Sequence, residues 1–155
     1  MKFEKAVITD INELTELRIA YIQEDFGVIT NEQLAAMKEL LPDYFMGHLN
    51  KDLYVYVARE NEEIVSCAFL LVVEKPMSPA FITGRTGTVL NVYTKAVYRG
   101  KGYARKLMQM MLEDAGVKNI NPIELKATNE GYKLYKTLGF EETVSKYHMM
   151  RFEIE

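Results

Sequence analysis

Tryptophan is absent from this 155-residue chain, cysteine occurs once and histidine twice, and there are only 4 Pro and 9 Gly. A single Cys67 excludes an internal disulfide, and with only His48 and His148 beside it no zinc-ligand cluster can form. The scarcity of Pro and Gly, set against 48% hydrophobic residues, excludes disordered, collagen-like and low-complexity classes. The longest apolar run, Ala68 to Val73, falls far short of the ~20 residues a membrane helix needs. The opening MKFEKAVITD lacks the apolar stretch of a secretory signal. Together these absences point to a reducing, cytoplasmic setting with no membrane partner and no metal.

Neither sign of charge dominates, with 19 Lys and Arg against 22 Asp and Glu, which argues against a protein that coats nucleic acid. The length fits one domain spanning residues 1–155 and leaves no room for a second. The near-balance hides a split. Residues 1–52 carry 5 basic and 10 acidic side chains, 53–94 carry 3 and 4, and 95–155 carry 11 and 8. The acidic and basic ends are suited to different partners.

Alternation over Lys2 to Thr9 predicts a short strand leading to Asp10, which with Glu13 makes a capping-box signature. Ile11, Leu14, Leu17, Tyr21 and Ile22 then share one helical face. Thr30 answered by Gln33 starts a second helix with Leu34, Met37, Leu40 and Leu41, before Pro42 disturbs the pattern. Leu53 to Ala58, the polar turn at 61–63 and the run Ile64 to Val73 read as a hairpin whose second strand is covered on both faces.

Lys75 to Gly87 is the longest irregular stretch, a candidate lid or substrate wall. Thr88 to Thr94 is a strand. A helix follows with Ala104, Leu107, Met108, Met111, Leu112 and Ala115 on one side and Gly116 as its stop. Ile123 to Thr128 reads as another strand, Asn129 as the cap of a short helix ending at Gly139, and Phe140 to Ile154 as a closing hairpin. The order βααβββαβαββ describes a mixed α/β domain of the α+β kind.

The segment from Val92 to Ala104 carries the chemistry. It reads as a strand, a tight turn holding Gly100 and Gly102 between basic residues, and the first turn of a helix. Amides at a helix N-terminus have no intrahelical partner and sit at the positive end of its dipole, so they suit a phosphate or pyrophosphate. The glycines remove Cβ atoms where such a ligand comes close. Neither G-x-x-x-x-G-K-[ST] nor G-x-G-x-x-G is matched, because Arg105 stands where a third glycine belongs, and a nucleotide-binding module fails on that ground.

Arg99-Gly100-Lys101-Gly102-Tyr103-Ala104 satisfies R/Q-x-x-G-x-G/A, and Leu125-Lys126-Ala127-Thr128-Asn129 is followed by Leu134-Tyr135-Lys136-Thr137-Leu138-Gly139-Phe140. In these two motifs the chain resembles the GNAT superfamily of N-acetyltransferases, over about residues 88–140. The resemblance implies a central, mostly antiparallel twisted sheet of about six or seven strands, splayed at the cofactor site and flanked by about four helices. It implies transfer of an acetyl group from acetyl-CoA to a primary amine of a small molecule or peptide, and a homodimer whose interface no sequence feature marks.

Residue by residue, the resemblance implies that the strand through Val92, Tyr93 and Thr94 offers its main chain to the pantetheine arm of coenzyme A. Amides from Arg99 through Gly100, Lys101, Gly102 and Tyr103 to Ala104 would hold the pyrophosphate, with Arg99 and Lys101 adding charge. Asn129 would hydrogen-bond the arm, and Tyr135 would face the sulfur as general acid. The family's strand carboxylate, used by some members as base, has no counterpart between Thr86 and Thr94. A water chain, or an acid or base from the segment holding Glu24, Asp25 and His48, is the remaining source.

The missing carboxylate supports an alternative, a non-catalytic acyl-CoA-binding or sensor protein of the same fold, whereas Asn129 and Tyr135 favour the enzyme. Cys67 reads as a small buried hydrophobe, His48 and His148 as surface or packing residues, and Tyr54, Tyr56 and Tyr93 as candidates for a cleft wall. In the charge split, the basic excess gathers around the phosphate loop. The acidic excess falls in helices that, in the family fold, border the acceptor, suiting a cationic amine.

Overall fold

The chain folds around one five-stranded sheet in sequential order, β1 (Lys2–Lys5), β2 (Leu53–Glu60), β3 (Glu63–Glu74), β4 (Arg85–Thr94) and β5 (Ile123–Glu124). All neighbours are antiparallel except β4 with β5. The helices are α1 (Ile11–Asp25), α2 (Asn31–His48), α3 (Tyr103–Val117) and α4 (Asn129–Thr137). The computed structural model describes residues 1–155.

Two apolar clusters sandwich the sheet. On one face Leu14, Leu17 and Phe45 of α1 and α2 meet Leu53, Val55, Val57 and Phe69. On the other, Leu107, Met108, Met111 and Ala115 of α3 meet Ala58, Val65, Ala68 and Leu70. This alternation follows from the pleat, which sends successive side chains to opposite faces. β3 is buried on both faces through most of its length, as its continuous apolar run predicts. Asn61 and Glu62, both at positive φ, form the tight β2–β3 turn.

Several local expectations hold. Thr30 Oγ1 accepts the Gln33 N–H and Gln33 Oε1 accepts the Thr30 N–H, and α2 runs through Pro42 to His48 rather than breaking there. The Asp10–Glu13 capping pair is not made. Asp10 accepts instead from Arg59 Nη1 at 2.9 Å, Arg59 Nη2 at 2.6 Å and the Val7 N–H. Glu13 accepts the Ile64 N–H. A bidentate guanidinium partner outcompetes one helical amide.

The sheet has fewer strands than the six or seven expected. β5 is two residues long rather than six, and residues 140–155 form no strand at all. Val144, Tyr147, Met149, Met150, Phe152 and Ile154 are exposed there. Side-chain alternation favours a strand, but a strand also needs a backbone partner, and this tail has none. Residues 75–84 form an irregular loop with one bridge between Ser78 and Phe81.

Candidate active site

β4 and β5 pair only at Gly87 with Ile123 and Thr88 with Glu124, then diverge. Gly87 permits the approach, because a Cβ there would stand 2.7 Å from Ile123 Cδ1 and from Leu70 Cδ1. Beyond Thr88 the edge of β4 turned away from β3 has no strand partner. The strand is irregular opposite Cys67–Phe69, where Asn91 takes φ 51°. Arg18 Nη1 donates to Asn91 Oδ1 at 3.4 Å, and Asn91 Nδ2 donates to the buried Cys67 thiol at 3.5 Å.

After β4 the chain makes one turn at Ala96–Tyr98 and enters α3 through Gly100 (φ 78°) and Gly102 (φ 81°). Both need the left-handed region that glycine reaches without penalty, and nothing lies within 4 Å of a Cβ at either. Conformation, rather than a tight contact within the protein, therefore accounts for these glycines. Gly102 is the N-cap of α3, and the first helical bond runs from the Lys106 N–H to its carbonyl. The amides of Tyr103, Ala104 and Arg105 precede that bond, so they have no intrahelical acceptor.

α4 is aimed by its ends. Thr128, not Asn129, is the cap, its Oγ1 accepting the Gly131 N–H at 3.1 Å. At the other end Gly139 (φ 102°) closes the helix, with the Phe140 N–H donating to the Tyr135 carbonyl and the Gly139 N–H to that of Lys136. This is a Schellman closure, and its hydrophobic contact is the edge-to-face pair of Tyr135 and Phe140 at 5.9 Å. Leu138-Gly139-Phe140 thus fixes the tyrosine it follows.

Two clefts result. The larger, about 940 Å³, is lined by Val92, Tyr93, Thr94, Arg99, Gly100, Gly102, Tyr103, Ala104, Asn129 and Tyr135 among others. Of the residues expected there, Lys101 alone is missing from the lining, its ammonium lying over the Tyr98 ring. The smaller cleft, about 560 Å³, lies along the diverging strands, with Arg18 and Leu90 in its wall. The two share Tyr21, Asp25, Val92, Ala127, Thr128 and Tyr135. Tyr135 stands at their junction.

Charges in the larger cleft include those at the end of α1 and in the loop before α3. Glu24 accepts from Arg99 Nη2 at 2.8 Å, while Arg99 Nε donates to the Thr94 carbonyl at 2.7 Å. That pair holds Glu24 below the usual carboxylate range and raises Arg99. Arg99, expected to add charge at the pyrophosphate, is thus also paired with Glu24 across the mouth of the larger cleft. Burial pushes the Tyr135 phenol up to about 12, with Tyr21 adding to the rise. Burial and then the Asp25 charge raise Tyr21 as well.

His48, named as a possible base, and the cleft-wall candidates Tyr54 and Tyr56 lie outside both clefts. His48 pairs with Asp52 and stacks on Tyr44. Tyr56 is buried with its hydroxyl donating to Asp114, and Tyr54 lies under Lys5 and Lys118. The 75–84 loop lines neither cleft. The residues that sequence reasoning overlooked are Arg18, Thr128 and Gly131, together with Tyr21, which it assigned to the apolar face. Arg18, Tyr21 and Asp25 recur at helical spacing along one edge of α1, and that polar row was the available signal.

The family model described as an acetyltransferase (GNAT) domain matches residues 51–142. A predicted acetyltransferase from Clostridium acetobutylicum, solved with acetyl-CoA, is 30% identical with a TM-score of 0.83, covering 97% of this chain and 95% of that one. A GCN5-related N-acetyltransferase from Ralstonia eutropha shares the fold at 23% identity and a TM-score of 0.80, covering 96% and 97%. So does glucosamine-6-phosphate N-acetyltransferase from Arabidopsis thaliana, at 18% identity and 0.65, covering 97% of each chain. No curated protein matches the chain closely enough to count as a relative. The chain belongs to the GNAT acetyltransferase family. No helix in it is long and apolar enough to cross a membrane.

Proposed function

We propose that this chain transfers an acetyl group from acetyl-CoA to a primary amine by direct attack of the amine on the thioester. The observation that carries the reading is the meeting of two clefts at Tyr135, one suited to the donor and one to the acceptor. The larger cleft suits coenzyme A, because free amides at the start of α3 offer donors to a pyrophosphate. The unpaired edge of β4 through Val92, Tyr93 and Thr94 offers main-chain groups to the pantetheine arm, and Asn129 a side-chain amide. The thioester supplies the activated acetyl group.

The chain's own residues must supply the rest. An amine of lysine type is protonated at neutral pH, a handicap of about 4.6 kcal/mol. Asp25 faces both clefts and, unlike Glu24, is in no ion pair, so it takes the place of the absent strand carboxylate as proton acceptor, directly or through water. With its phenol at about 12 and a thiol near 8.5, Tyr135 is a poor full proton donor, uphill by about 5 kcal/mol. It acts first as a hydrogen-bond donor to the sulfur and gives up its proton only as negative charge accumulates there.

The test is thiol release from acetyl-CoA with a panel of primary amines. Amine-stimulated release is expected, with the N-acetylated amine identified by mass. Tight binding of coenzyme A with no release for any amine would leave the non-catalytic sensor as the better account.

A further inference from the structure

Arg18 is a half-buried cation in the wall of the smaller cleft. Its only hydrogen bond to a protein group is the long contact from Nη1 to Asn91 Oδ1 at 3.4 Å. The neighbours that act on its charge are Tyr21, Tyr44 and Cys67, none of them a carboxylate. Arg59, by contrast, is paired with Asp10 and Glu4, and the likewise half-buried Arg85 and Arg105 each have one short acceptor, the Lys118 carbonyl at 2.7 Å and Thr137 Oγ1 at 2.6 Å. A guanidinium has five N–H donors in a planar fork that matches a carboxylate, and leaving it half-buried with one weak acceptor is costly.

We propose that Arg18 receives a carboxylate carried by the acceptor amine, making the acceptor an amino acid or a similarly zwitterionic amine; this rests on the acetyl-transfer reading above. The acceptor's ammonium would lie at the junction beside Asp25 and its carboxylate at Arg18 in the wall of the smaller cleft. Asp25 is seven residues on from Arg18 along α1, about 10 Å of helix rise. The junction also includes Tyr21, three residues on, about 4.5 Å of rise. The amine and carboxylate should therefore be separated by several bonds, as in an ω-amino acid or the side chain of lysine, rather than sharing one carbon. The same arrangement gives both signs of charge in the cleft a use, where a purely cationic amine would face an uncompensated guanidinium.

Matched pairs test this in the thiol-release assay: 5-aminovalerate against butylamine, and lysine against cadaverine. For the wild type, kcat/KM is expected to be at least ten-fold higher for the carboxylated member of each pair. In Arg18→Gln that ratio should fall below about two, with Arg18→Lys recovering part of it. Equal use of both members by the wild type would overturn the proposal. So would a loss in Arg18→Gln that is the same for both members, since that is what a mere tether to Asn91 predicts. Preference for phosphoethanolamine over β-alanine would overturn the carboxylate assignment in favour of a phosphate. If no amine releases thiol, the transfer reading fails, and calorimetry of 5-aminovalerate with the coenzyme A-loaded protein decides for Arg18. Binding lost in Arg18→Gln supports the site, and no binding to the wild type overturns it.

Discussion

Gly131 and Tyr135 share one face of α4 so closely that a Cβ on the glycine would stand 2.7 Å from Tyr135 Cε2. The missing side chain is therefore what lets the phenol lie back over its own helix at the junction of the clefts. Alanine is the better helix former by about 1 kcal/mol, so Gly131→Ala should keep its thermal midpoint while pushing the ring aside. Turnover is expected to fall ten-fold or more, approaching Tyr135→Phe, with KM for acetyl-CoA within three-fold of wild type in both. Steady-state kinetics beside a thermal melt checks it. Unchanged kcat in Tyr135→Phe would remove the phenol from the mechanism.

The Glu24–Arg99 pair joins α1 to the phosphate loop, and both side chains are substantially exposed. Such pairs contribute at most about 1 kcal/mol to stability. Glu24→Gln should therefore leave the fold intact and return the Arg99 charge to the loop. KM for acetyl-CoA is expected to fall two- to five-fold at low salt, with the difference shrinking as ionic strength rises.

Asp10 is an acid-sensitive point of the fold. Burial alone would raise its carboxyl, but the bonds from Arg59 and Val7 outweigh this and hold it below the usual range. Because the folded-state value is depressed, its stabilisation is present above the unfolded carboxylate range, near pH 4, and is lost as pH falls through the lower folded value. Asp10→Asn should cost about 3 kcal/mol at neutral pH by leaving Arg59 short of a counter-charge. Urea melts at pH 7, 5 and 3 should show the gap between variant and wild type closing on the acid side.

Cys67 is fully buried, and burial pushes its thiol up to about 12. It should not react with a disulfide reagent in the native protein, whereas one thiol per chain should appear in denaturant. The coenzyme A released in the assays above is then the only thiol counted.

The sequence by itself determined whatever depends on neighbours within a few residues. The Thr30 and Gln33 cap, the apolar stripe of α3, the tight glycine turn that opens it, and the Gly139 closure beneath Tyr135 are all of that kind, because capping, turns and helical periodicity act over one or two turns. So is the acetyltransferase motif, which is why the larger cleft was legible before its walls were seen. Where a local rule failed, a distant partner had won. Asp10 left its helix for Arg59, 49 residues away, and the patterned tail found no strand to pair with.

Only the tertiary structure decided how α1 closes the site. Glu24 meets Arg99 across 75 residues and Arg18 meets Asn91 across 73. No periodicity encodes such contacts, which arise when α1 packs on the sheet beside the point where β4 and β5 part. That packing brings Asp25 to the junction where the strand carboxylate is lacking, and leaves Arg18 without an acidic partner beside it.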